Sequence, residues 1–120
     1  MMTSVVAEIR RWQCTFGWSV EGWADAWRND KSLRQWVAVN AASLTALAVV
    51  DMPATGRALV FGFGLLVIVA ELINSAIERA VDHTSTARHP LAKAAKDIAS
   101  AAVTMTAFAF GGVWVIMLIG

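Results

Sequence analysis

The sequence predicts an all-α membrane protein with three transmembrane helices and an N-terminal amphipathic helix lying in the interface. Three observations carry that prediction. Hydrophobic residues make up 58% of the 120-residue chain, with a mean hydropathy of +0.57, above the ~45–50% apolar content of soluble domains. Three apolar segments follow one another, Trp36 to Val50, Ala58 to Val81 and Ile98 to Ile119. The second and third reach the ~20 residues needed to cross ~30 Å of hydrocarbon, whereas the first needs flanking residues such as Leu33 and Met52 to do so. Finally, Val5, Ile9, Trp12, Phe16, Val20, Trp23 and Trp27 recur at steps of three or four before the first apolar segment, the period of a helix with one apolar face.

The whole chain reads as a single membrane domain, residues 1–120. Its surface helix is expected over about 5–29, with spans over about 33–52, 57–82 and 91–119. A tryptophan-rich amphipathic helix fits the interface plane better than a crossing, although a simple anchor or a packing helix has the same pattern. Gly17 and Gly22 weaken its continuity, each by about 1 kcal/mol relative to Ala. Pro53 and Gly56 punctuate the first connection, and Pro90 opens the last helix. Gly62 and Gly64, inside the second span, read as positions where helices approach closely.

Charge placement gives the orientation. Arg10, Arg11, Arg28, Lys31 and Arg34 precede the first span, and Arg79, Arg88, Lys93 and Lys96 flank the second connection. Arg57 alone lies in the first connection. The positive-inside rule therefore places the N-terminus and the second connection in the cytoplasm, with the C-terminus outside the inner membrane. A formal net charge of +1 provides no broad basic field for nucleic acid. The one cysteine, Cys14, has no second thiol for a disulfide or a shared metal, and the N-terminus lacks the pattern of a cleavable signal.

The second span carries the chemistry. Glu71, Asn74, Glu78 and Asp82 project within one arc of roughly 100°, with Ser75 beside it. An acidic residue at the centre of a span costs roughly 2.5–3.5 kcal/mol to insert, so two of them point to a working site. Interhelical hydrogen bonds in an oligomer are the competing explanation. Glu71 and Glu78 stand about 10 Å apart along the axis. That separation suits two roles, a deeper proton acceptor and a shallower ligand for a hard cation. Lys96, Asp97 and Ser100 open the third span at about the depth of Glu78 and Asp82. They either decorate a helix end or bring positive charge to phosphate oxygens. No P-loop and no soluble-kinase residue set is present. His83 and His89 lack the partners of a zinc site.

The stretches Ala26-Trp-Arg-Asn-Asp30 with Arg34, Glu71-Leu-Ile-Asn-Ser-Ala-Ile-Glu78 with Asp82, and His89-Pro-Leu-Ala-Lys-Ala-Ala-Lys-Asp97 with Ser100 resemble the bacterial integral-membrane diacylglycerol kinases, a family that also includes undecaprenol kinases. The resemblance implies a lipid kinase that phosphorylates diacylglycerol to phosphatidic acid with ATP and Mg2+, built as a homotrimer whose active sites are shared between subunits. It further implies Glu71 as the general base and Asp30 and Glu78 as the metal ligands. Nucleotide contacts would come from Arg11, Trp18, Asp30, Glu78, Arg88, His89, Lys96 and Asp97, with Asn74 and Asp82 completing the polar site. Arg11, Arg34, Glu71, Ser100 and Trp114 would meet the lipid. Asp30 stands where the family usually has Glu, and Trp36 where related sequences commonly carry a polar residue. Two other readings remain open at this level: an undecaprenol kinase of the same fold, and a small oligomeric ion or proton conduit lined by Glu71 and Glu78.

Overall fold

The computed structural model describes residues 2–120 and holds four helices: α1 (Met2–Asn29), α2 (Lys31–Val49), α3 (Ala54–Thr84) and α4 (Pro90–Ile119). They fall into two compact units, the first ending at Lys31 and the second running Ser32–Gly120.

In the first unit, α1 continues without a break through Gly17 and Gly22. Space is open around both glycines. The seven apolar residues that defined its face are all exposed. An ion pair between Arg11 and Glu8 at 2.9 Å lies along the helix, and the Asp30 N–H donates to the Ala26 carbonyl at 2.8 Å, carrying the helical hydrogen-bonding pattern one residue past Asn29.

In the second unit, α3 and α4 form an antiparallel hairpin, and they are each other's principal packing partner. The buried positions of α3 are Gly56, Val60, Gly64, Val67, Glu71, Asn74 and Ser75, which follow the three-and-four spacing of a single helix face. That face decides where the carboxylate goes. Glu71 continues a line whose earlier members, Val60 and Val67, are completely buried. The core joins Leu47 of α2, Met52, Val60 and Val67, and Phe110 of α4, with Trp36, Phe63, Trp114 and Met117 packed around them.

Gly64 is a close-packing position: an added Cβ would run into Asn40 Oδ1 and stand 3.2 Å from Phe110 Cε2. Gly62 is not, since nothing lies within 4 Å of a Cβ built there. Gly62 is on the other face of α3, away from Gly56, Val60 and Gly64.

By length and composition, α3 and α4 are the helices able to cross a membrane. Both also present apolar residues outward, among them Leu59, Leu65, Leu66, Val69 and Ile73 on α3 and Ile98, Met105, Phe108 and Ile116 on α4. Helices apolar on all sides belong in a core or in lipid. α2 is 19 residues long and includes Lys31, Arg34, Gln35 and Asn40, which dilute its apolar character. It ends at Val49, short of Met52, before the turn through Pro53.

Arg57 closes that turn. Its guanidinium donates through Nη1 to the Leu47 carbonyl, through Nη2 to Val50 O at 3.2 Å and through Nε to Met52 O at 3.3 Å. Helix C-termini leave carbonyls without intrahelical donors, and here Arg57 satisfies that of Leu47 along with those of Val50 and Met52 just past the helix. The lone Arg of the first connection is thus a clasp on the end of α2.

Candidate active site

Glu71 is 5% exposed, Asn74 8% and Ser75 3%, and they are the buried polar residues among those described. One turn further on, Glu78 is exposed. The Asn74 Nδ2 donates a long 3.4 Å hydrogen bond to Glu78 Oε1. The Asn74 Oδ1 is buried with no hydrogen-bond partner among the described residues. A buried, unsatisfied acceptor costs roughly 1–3 kcal/mol, so its position beside a carboxylate calls for an explanation.

Glu71, Asn74 and Glu78, though not Ser75, line one cavity of about 640 Å3, a size ordinary for ligand sites. α3 contributes Glu71, Asn74 and Glu78, α2 contributes Ser32, Gln35, Trp36 and Val39, and α4 contributes Ser100, Val103, Thr104, Ala107 and Phe108. One end is therefore lined by carboxylates, amides and hydroxyls, and the other by aromatic and aliphatic carbon. Ser32, Gln35 and Thr104 were not singled out from the sequence. The available signal was their spacing: Ser32, Gln35 and Val39 repeat at three and four on α2, and Thr104 lies one turn after Ser100.

A second hollow of about 640 Å3 sits at the α3–α4 turn and includes Asp82, Arg88, His89, Lys93 and Lys96 in its lining. The Lys96 Nζ reaches Asp82 Oδ1 at 2.6 Å, joining α4 to α3. The Lys93 Nζ pairs with Asp97 Oδ2 at 2.5 Å along α4. His89 is the N-cap of α4, its Nδ1 accepting from the Leu91 N–H at 3.1 Å, with Pro90 next in the first turn. Lys93 and Lys96 are thus each held by a carboxylate beside the turn.

The candidate residues divide accordingly. Glu71, Asn74, Glu78 and Ser100 share the acid-lined cavity, while Asp82, Arg88, His89 and Lys96 share the turn hollow. Asp97 is exposed and lines neither. Trp114 lies farther along α4, where its Nε1 donates to Ser43 Oγ at 2.9 Å. Arg34 is partly buried on α2 and outside both linings. Arg11 and Trp18 line a shallow hollow on α1, in the N-terminal unit with Asp30.

No group of three or more His, Cys, Asp or Glu side chains able to hold a metal occurs among the described residues. The residues lining the cavity are nevertheless of the kind Mg2+ takes: the Glu78 carboxylate and, one turn earlier, the Asn74 amide, whose Oδ1 is buried and unpartnered. Mg2+ is commonly bound by one or two carboxylates plus phosphate oxygens and water. The residues present fit that arrangement.

The structure is thus that of an all-helical protein with two helices apolar enough to cross a membrane and a buried carboxylate lining a partly polar cavity. The prokaryotic diacylglycerol kinase family model matches residues 17–118. The chain is 38% identical over 104 residues to a diacylglycerol kinase of Pseudomonas aeruginosa, covering 87% of this chain and 85% of that protein. It is 33% identical over 102 residues to the diacylglycerol kinase of Escherichia coli K12, covering 85% and 84%. A Helicobacter pylori diacylglycerol kinase is 70% identical over a shorter stretch of 37 residues, 31% of this chain and 29% of that one. The chain belongs to the prokaryotic diacylglycerol kinase family, a family of lipid kinases.

Proposed function

We propose that this chain transfers the γ-phosphoryl group of ATP to the hydroxyl of diacylglycerol, forming phosphatidic acid and ADP at the cytoplasmic face of the inner membrane with Mg2+. The observation that carries the reading is the shared cavity, in which the buried Glu71 faces the same space as Asn74, Glu78 and Ser100. A diacylglycerol hydroxyl stays at the headgroup boundary, and ATP stays in water. A site that grades from hydrocarbon to carboxylates suits both.

In this reading Glu71 accepts the proton of the lipid hydroxyl as its oxygen attacks the γ-phosphorus and the bond to ADP breaks. Ser100 and Gln35 offer hydrogen bonds that orient the glycerol end. Glu78 would hold Mg2+, with the Asn74 amide one turn away, and the family resemblance assigns Asp30 as a further ligand. Such an ion would supply charge neutralisation on the phosphate oxygens. Lys96, Arg88 and His89 bring donors and positive charge to the nucleotide from the turn, while Arg11, Trp18 and Asp97 complete its contacts. Asp82 restrains Lys96, and Arg34 and Trp114 meet the lipid.

The working protein is a homotrimer with shared active sites, and α2 is its third crossing. With nine of the ten Lys and Arg residues on the side of the N-terminus and the α3–α4 turn, that side is cytoplasmic.

The test is direct. Protein purified in detergent, given diacylglycerol, labelled ATP and Mg2+, yields labelled phosphatidic acid, and chelating the metal abolishes it. No labelled lipid would overturn the kinase reading. A strong preference for undecaprenol in a parallel reaction would keep the chemistry and reverse the substrate.

A further inference from the structure

We propose that Ser43 is a positioning residue that sets the acyl-chain preference of the lipid substrate by holding the Trp114 ring as one wall of an apolar hollow. The inference rests on the kinase reading above and adds to it a residue and a selectivity.

The hollow has a volume of about 390 Å3 and lies between α2 and α4, with Ala42, Ala46 and Val50 on one side and Phe110, Trp114 and Leu118 on the other. Val39 lines both this hollow and the cavity of Glu71. The two spaces therefore adjoin at that residue. A lipid whose hydroxyl lies at Glu71 has its hydrocarbon directed toward the hollow.

The polar atoms in the lining consume one another. An indole N–H in apolar surroundings needs an acceptor, and Trp114 Nε1 finds the Ser43 hydroxyl at 2.9 Å across the helix pair. With that bond made, the wall presents carbon, which suits an alkyl chain and no polar occupant. The bond also fixes the ring. Without it, the indole could turn about its side-chain torsions into the space left by Ala42 and Ala46 and shorten the hollow. From Val39 to Val50 the α2 wall runs about 16 Å, roughly half of a ~30 Å hydrocarbon core and so about the reach of one leaflet's acyl chain.

The native chain, Ser43→Ala and Ser43→Thr are compared with dioctanoyl, dilauroyl and dioleoyl glycerol as substrates. Ser43→Ala is expected to change the ratio of kcat/KM between long and short chains by roughly three- to tenfold, the scale of one interhelical hydrogen bond, with the KM for ATP unchanged. Ser43→Thr, which keeps a hydroxyl, returns the ratio toward the native value. In protein carrying 15N-labelled tryptophan, the indole resonance lost in Trp114→Phe moves in Ser43→Ala and stays in Ser43→Thr. Phosphorylated product with an unchanged chain-length ratio in Ser43→Ala overturns the proposal while leaving the kinase reading intact. So does an unmoved Trp114 resonance. A weakened oligomer with an unchanged ratio shows the hollow covered by another copy and also overturns it. Absence of any phosphorylated lipid from the native chain overturns both.

Discussion

Glu71 differs from a structural buried acid in what surrounds it. It lines a cavity together with a second carboxylate, the Asn74 amide and Ser100. Glu71→Gln keeps shape and hydrogen-bonding capacity but cannot accept a proton in the same way. We expect a folded oligomer with turnover reduced by at least about 100-fold, measured as labelled lipid formed alongside gel-filtration size. Near-native turnover would remove Glu71 as the base. Asp30→Glu restores one methylene of reach toward a cation and is expected to lower the Mg2+ concentration for half-maximal activity several-fold. An unchanged Mg2+ requirement would argue against Asp30 as a ligand. Glu71, Asn74 and Glu78 were legible in the sequence because helical periodicity fixes their common direction once α3 exists. Ser32, Gln35 and Thr104 were not, since the faces that α2 and α4 turn to α3 depend on how the helices pack. Asp97, which the resemblance assigns to nucleotide binding, pairs with Lys93 on the surface, a contact that helical spacing allows and that sequence alone does not single out.

Among the elements, α2 depends most on its neighbours. Asn40 donates to the Trp36 carbonyl at 3.0 Å, and its Oδ1 occupies the space that Gly64 leaves open. Gly64→Ala therefore forces Asn40 or Phe110 to shift, at a cost of about 1–3 kcal/mol. The expected readout is a lower thermal midpoint in detergent, partly recovered when Asn40→Ala is added. Full stability in the single variant would show that α2 is held by other contacts. The existence and approximate limits of the helices were readable from apolar period, Pro53 and Pro90. The clasp was not. Arg57 read only as the one cation of its connection, because the carbonyls it binds become acceptors only when α2 ends and the chain reverses.

At the scale of the molecule, the proposed topology can be tested by labelling. After Cys14 is replaced by Ala, a cysteine introduced for Asp51 should react with an impermeant reagent from outside intact cells. One introduced for Thr86 should react only in inverted vesicles. Reversed labelling would overturn the orientation, and equal-side labelling would show that α3 does not cross. That α3 and α4 are apolar and long enough to cross follows from length and composition, which the sequence makes visible. The proposed third crossing by α2 does not follow from it, because the polar groups of α2 would be acceptable in lipid only where other helices receive them.

The guanidinium clasp has a consequence for how the protein is made. During synthesis α2 leaves the ribosome before Arg57, so its last carbonyls wait without that donor, and its hydropathy alone gives it little reason to enter lipid. A helix in that condition is expected to pause at the insertion machinery until the start of α3 appears. The two would then partition together as a hairpin closed by Arg57, with the polar side of α2 never meeting acyl chains unaccompanied.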